Sequence, residues 1–392
     1  MKNRPFFSLA ILTAGAIVAW AQAPTGTEFP VNSTTTGKQQ NPAVAAAKKG
    51  NSVVVWESDG QDGSGLGIIG RRFNASGNPL GEEFQVNSFT SGRQSKPSVA
   101  TDTAGNFVVV WESLGQDGSS DGIFGRRFNV SGNPVGEEFQ VNSSSPGAQV
   151  SPAVASDGPG NFVVVWQSSD GNATGIFGRR FTRSGAPVGG EFLVNTRTPG
   201  AQKFPSVASS VSGDFVVVWQ SKGSDGNKNG VAGRLYSSSG SPASGEFQVN
   251  SFTRNNQSRP SVASDRSGNF VVVWQSKGQN GSKEGIFGQV FDASGTSKGA
   301  ELQVNNETAS NQKTPSVAAD KKGNFFVVWE SQGRGIFGRR FKRSGSSTGS
   351  EFQVNQSRGN LKVPDVAADA KNKFVIVWQG QDGGGDGIKG RR

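Results

Sequence analysis

The chain of 392 residues contains no cysteine and no histidine, one methionine and one tyrosine. Without cysteine there is no disulfide framework, thiol nucleophile or thiolate-bound metal. Without histidine the usual general base and the commonest transition-metal ligand are also missing. Only carboxylate or Ser/Lys chemistry is left for catalysis, and no single acid pair stands apart, so an enzyme is not expected. Long amphipathic helical patterns are lacking as well. What is abundant is glycine, at 56 residues, with 17 prolines, 27 phenylalanines and many valines, a composition suited to short strands and turns.

The first residues read as an export signal. Lys2 and Arg4 make a basic start, Pro5 to Trp20 is almost wholly apolar, and small residues follow. The stretch is too short for a convincing membrane span. Cleavage is expected after Ala21, with Ala23 as the competing site, because cutting after Ala23 would leave Pro24 at the scissile bond. The signal would then be 1–21 and the folded domain 24–392. Losing Lys2 and Arg4 lowers the formal charge from +10 to +8, a modest basic excess that suits an anionic partner but also solubility alone. Export would place the protein outside the cytoplasm: extracellular, periplasmic or on the cell surface.

Seven tryptophans beat regularly through the chain at Trp56, Trp111, Trp166, Trp219, Trp274, Trp329 and Trp378, with spacings of 55, 55, 53, 55, 55 and 49. A fixed period of this size signals a solenoid, propeller or array. Each repeat holds four strand-like pieces. A short, small-residue piece such as Pro97–Ala100 comes first and leads into an Asp-to-Gly turn. Phe107–Trp111 follows, apolar on both alternating faces, which requires a sheet covered on both sides. Gly122–Phe128 mixes apolar and charged positions and lies further out. Glu138–Asn142 alternates like an outer strand.

Seven such units predict an all-β, seven-bladed β-propeller with four antiparallel strands per blade. The N-terminal Glu28–Asn32 reads as an outer strand and Gly387–Arg392 as a third strand, so the first strand is expected to complete the last blade and close the ring. Pro30 fits only where one backbone edge faces solvent, which an outermost strand provides. The tryptophans are assigned to the interblade core. The sequence resembles the EFQVN…PSVA.D..GNFVVVW.S.GQDG..GIFGRRF tandem repeats of secreted and surface proteins of bacteria. That resemblance covers essentially all of the chain after the signal, and it implies a propeller of this repeat type but no particular activity.

Binding is expected on the end carrying the long loops between strands two and three and between blades. Two sets of residues there are candidates. Gln39, Gln94, Gln149, Gln202, Gln257 and Gln312 enter the inner strands, with Leu361 breaking the series, and Lys96, Lys203, Arg259, Lys313 and Lys362 lie nearby. They form either a ring for a polar ligand or, for the amides, interblade hydrogen bonds. Asp59, Asp62, Asp117, Asp121, Asp382 and Asp386 sit in Gly-rich loops that would suit calcium, although ordinary Asp-Gly hairpin chemistry explains them too. No other cofactor is called for.

Arginine pairs recur at Arg71-Arg72, Arg126-Arg127, Arg179-Arg180, Arg339-Arg340 and Arg391-Arg392. They read either as a basic belt or as partners of Glu57, Glu112 and Glu330, which follow three of the tryptophans. No aromatic platform accompanies them, so nucleic acid is not expected. The leading expectation is a secreted, monomeric, non-enzymatic binding or scaffolding propeller for a protein or polysaccharide. A multivalent glycan-binding lectin is the alternative, and a glycan-cleaving hydrolase comes third.

Overall fold

The computed structural model describes residues 26–47, 49–143, 147–281, 283–369 and 372–392. The expected signal segment lies outside the described residues. The chain forms seven four-stranded antiparallel sheets. In the first, Gln39–Ala46 is innermost, followed outward by Ser52–Asp59, Leu66–Phe73 and Phe84–Gln85. Inner strands starting at Gln39, Gln94, Val150, Gln202, Gln257, Gln312 and Lys362 define blades 1 to 7. Each inner strand packs beside the next, and that of blade 7 packs beside that of blade 1. The architecture is a seven-bladed β-propeller.

The doubly apolar second strand is explained by its place between two neighbours. In blade 1, Val53 and Val55 face blade 2 and pack with Val99, Phe107, Val109 and Trp111. Val54 and Trp56 face blade 7 and pack with Val375, Val377 and Ile388. Period-two alternation therefore sends every second side chain to a different interface, and both interfaces are dry. All seven repeat tryptophans are at most 1% exposed, so their assignment to the core holds.

The N-terminal strand does complete blade 7. Phe29 pairs with Gly390 and Pro30 with Lys389, and the Val31 amide donates to the Ile388 carbonyl at 2.9 Å. Glu28 accepts from the Ser357 amide at 3.0 Å. The same glutamate in other blades does the same work: Glu138 accepts from the Ser88 amide at 2.6 Å and Glu246 from the Thr196 amide at 2.9 Å. The closing seam is thus chemically like the internal ones.

Inner strands are longer than the expected Pro97–Ala100. That of blade 2 runs Gln94–Thr101, because a bulge between Ser95 and Ser98 lets pairing resume beyond the proline, which has no amide to donate. In every blade the residue before this proline has a left-handed backbone: Asn41, Lys96, Ser151, Phe204, Arg259, Thr314 and Val363 have φ from 47° to 56°. Such a conformation is unfavourable for bulky or β-branched residues. In blades 2, 3, 4 and 6 it is held from the preceding blade, where the side chain after the tryptophan accepts the strained amide. Glu57, Glu112 and Gln167 take the amides of Lys96, Ser151 and Phe204, each at 2.6 Å.

Candidate functional site

The structure sorts the sequence candidates by burial. The six glutamines are at most 1% exposed, and their amides are spent internally. Gln94 donates to the Ser91 carbonyl and accepts from Asn87, whereas Gln202 and Gln312 accept the indole N–H of Trp219 and Trp329. They brace the loop entering each blade and line no opening. Leu361, which breaks the series, is buried in the apolar cluster containing Trp378.

The calcium candidates are likewise engaged. Asp62 accepts from the Ser64 amide and the Asn87 side chain, Asp117 from Ser119 and Asn142, and Asp382 from Gly384 and Asn32. Asp121 is buried against Arg93 at 2.8 Å, and Asp386 accepts from Gln379, while Asp59 is exposed at the end of its strand. Among the described residues no three metal-ligating side chains come together. The loops place at most two acids in a blade, and those of Asp62, Asp117 and Asp382 serve turn hydrogen bonds.

The expected pairing of arginines with the glutamates after tryptophan is not what forms. Within blade 2, Glu112 lies opposite Ile123 whereas Arg126 lies opposite Val109, too far along the ladder to meet. The first arginine reaches back to a carbonyl of the preceding blade, Arg126 to Val86 at 3.1 Å and Arg179 to Val141 at 2.9 Å. The second reaches forward, Arg72 to the Val130 carbonyl and Arg127 to the Arg183 carbonyl, both at 2.9 Å. Arg72 also covers Gly132, whose positive φ and tight contact leave no room for a side chain. Each pair staples its blade to both neighbours, and in blades 4 and 5 Leu235 and Val290 cover the equivalent glycines.

What remains is the set of cations at the start of the inner strands, around the axial mouth on the long-loop end. Blades 1 to 3 contribute one cation, Lys96, already 3.0 Å from Glu112, and Glu57 also faces that side. Blades 4 to 7 contribute Lys203, Arg259, Lys313 and Lys362 in unbroken succession. Lys203 and Arg259 are exposed, and Lys313 and Lys362 are half-buried. Arg259 lies over the Phe204 ring at 4.9 Å, and Lys362 is 3.8 Å from Asp386. Glu330 is a second acid among them: burial pushes its pKa up, against the pull of Lys313, Lys362 and Arg259. Over blades 4 to 7 four cations thus stand beside Glu330 and Asp386, whereas over blades 1 to 3 Lys96 alone stands beside Glu57 and Glu112.

Two recurring residues were passed over in the sequence. The asparagine ending each outer strand is a buried hub. Asn87 accepts from the Ile68 amide at 2.7 Å and donates to Asp62, the Phe89 carbonyl and Gln94. The glutamate opening each outer strand ties two blades. Repetition in every copy was the signal for both.

No family model matches the chain, and no curated protein matches it. Solved structures do match in fold. The polysaccharide lyase Uly1 is similar at TM-score 0.57 and 10% identity, covering 94% of this chain and 99% of that one. An α-L-arabinanase of Penicillium chrysogenum, solved with arabinobiose, is similar at TM-score 0.54 and 12% identity, covering 93% and 97%. The β-propeller domain of the Trilobed protease from Pyrococcus furiosus is similar at TM-score 0.52 and 8% identity, covering 91% and 93%. That domain has an open velcro topology, whereas here the first described strand pairs into the last blade. At these identities the likeness is one of fold.

Proposed function

We propose that this is an exported, non-catalytic propeller that binds an anionic polysaccharide at its axial mouth. The observation that carries the reading is the succession of Lys203, Arg259, Lys313 and Lys362 on four consecutive blades, against two half-buried acids, Glu330 and Asp386. Cations grouped around one opening raise the local concentration of a polyanion and align it on the rigid ring. The glycan part draws on the similar folds, two of which are named for polysaccharide substrates or a bound sugar. The absence of histidine and cysteine and the commitment of the loop acids to turns favour binding over turnover. Export rests on the basic and apolar N-terminal stretch.

The test compares binding of polygalacturonate and neutral dextran to the full chain and to a Lys203→Gln/Arg259→Gln/Lys313→Gln/Lys362→Gln variant. The parent is expected to prefer the acidic polymer, and the variant to lose at least about tenfold in affinity, as loss of several exposed charges to one polyanion implies. Lys96→Gln, whose charge Glu112 already meets, is expected to change affinity by less than about twofold. Equal binding of dextran, an unaffected quadruple variant, or sugar release from either polymer would count against the proposal. A lectin with equivalent sites would instead bind several ligands per ring.

A further inference from the structure

The end of the ring opposite the axial cations carries clefts between neighbouring blades. Those between blades 2 and 3 and between blades 5 and 6 measure about 460 and 450 Å³, against about 310 Å³ between blades 3 and 4. Both large clefts border an arginine, Arg183 or Arg343, at a turn position that holds Ala75, Val130, Ser238 or Ala293 in other blades. We propose that the cleft between blades 2 and 3 is a binding site for a pyranose sugar bearing a carboxylate, which Arg183 meets.

The volume falls within the range of small-molecule sites. The main chain of Arg183 is fixed on both sides: its amide donates to Asn161 at 3.1 Å and its carbonyl accepts from Arg127 at 2.9 Å. Its side chain is exposed and makes no ion pair among the described residues. The backbone is therefore fixed at the rim, and the guanidinium, free of an ion pair among the described residues, can turn toward the cleft. Val135, 39% exposed, and Pro159 supply apolar wall above the stacked Phe107 and Phe128 rings. A sugar ring offers C–H groups to such a wall and hydroxyls to the turn backbone.

The carboxylate in this lining, Asp102, keeps its charge but spends its oxygens on its own turn. It accepts from the amides of Ala104, Gly105 and Asn106 and from the Asn106 side chain, at 2.7 to 2.9 Å. The cleft between blades 5 and 6 differs in this respect, because Lys298 lies 2.8 Å from Asp292, which brings a further carboxylate to the lining. The choice of a sugar over other carboxylates rests on the glycan reading above; the site itself rests on the cleft and Arg183.

The experiment titrates the full chain with D-glucuronate, D-glucose and inorganic phosphate by calorimetry or ligand-observed NMR. Glucuronate is expected to saturate one site in the low-millimolar range, on the order reached by so small a ligand. Glucose should not bind and phosphate should not compete. Arg183→Ala is expected to weaken glucuronate at least about tenfold and Arg183→Lys much less, since each unmet charge at a rigid site is decisive for a small ligand. Arg343→Ala and the quadruple axial variant should leave it within about twofold, their charges being remote from the site. Three results would overturn the assignment: no saturation, equal losses from both arginine variants, or displacement by phosphate. Loss of glucuronate only in the axial variant would sink the cleft and leave the axial reading standing, while polygalacturonate binding unchanged in the axial variant, with glucuronate lost in Arg183→Ala, would do the reverse.

Discussion

Asp365 stands on the inner strand of blade 7 where other blades carry Ser98, Ser206, Ser261 and Ser316. It accepts from the Ser316 hydroxyl at 2.7 Å and the Val44 amide at 2.9 Å, linking blades 6, 7 and 1. Burial pushes its pKa up, and these hydrogen bonds only partly offset the rise. A carboxyl with a raised folded-state pKa lends stability below its unfolded pKa, and that contribution is lost as pH rises through the folded value. Asp365→Asn is therefore expected to raise the melting temperature at pH 7, with the gain vanishing below about pH 4, near the unfolded pKa of Asp. Thermal melts across that range check it, and an equal shift at both ends would show that charge is not the cause.

The sole tyrosine gives a second readout at the same scale. Tyr236 takes a position that is phenylalanine in other blades and stacks on Phe215 at 4.8 Å. Its hydroxyl donates to the Val194 carbonyl at 3.3 Å, and burial pushes its pKa up to about 12. Because the neutral form is the one the fold favours, its contribution is intact below the unfolded pKa of about 10 and is lost on the way to the folded value. An ultraviolet titration should show tyrosinate forming only near that upper limit. Ionisation near the free value would mean that the hydroxyl is wetter than the packing implies.

Among the elements, the N-terminal strand carries the most for its length. Two paired residues, Phe29 and Pro30, would be marginal alone. They are supported by the Phe29 ring 5.4 Å from Phe73, by buried Val31, and by Asn32 accepting from the Ile388 amide at 2.7 Å. Deleting Thr27 to Asn32 is expected to lower the melting temperature and to expose the Asp386–Arg391 edge, giving concentration-dependent association. Light scattering and melts settle it; an equally stable, monomeric truncation would mean that the clasp contributes nothing. The bulged inner strand is the other informative element, since in blades 2, 3, 4 and 6 its strained residue before proline is met by a carboxylate or amide from the blade behind.

For the whole molecule, the repeat and its exceptions play different parts. The recurring groups, from the seven tryptophans to the five arginine pairs, are consumed by the ring. Departures from the repeat are what the ring presents: four cations on one arc of the mouth and Arg183 at one cleft. If the axial arc works through charge, affinity for an acidic polymer should fall steeply between low and physiological salt, because exposed charges are screened over about 8 Å there. A salt-independent affinity would point to a contact of another kind.

Blade count, four-strand unit and closure were legible in the order of the residues, because periodicity and double-faced apolar strands are local patterns with one consistent packing. Those patterns also placed Trp56 through Trp378 in the core. What the polar repeats do depends on how neighbouring blades pack. Gln94 and Arg126 look like surface groups in the sequence, yet their partners lie in the neighbouring blade or the loop entering it, and a linear reading cannot tell a buried amide from an exposed one. The same limit hid the clefts on the short-turn end, whose walls come from two neighbouring blades and not from any run of residues. Chain order fixes which residues recur; the packing of neighbouring blades fixes which of them are left free to bind.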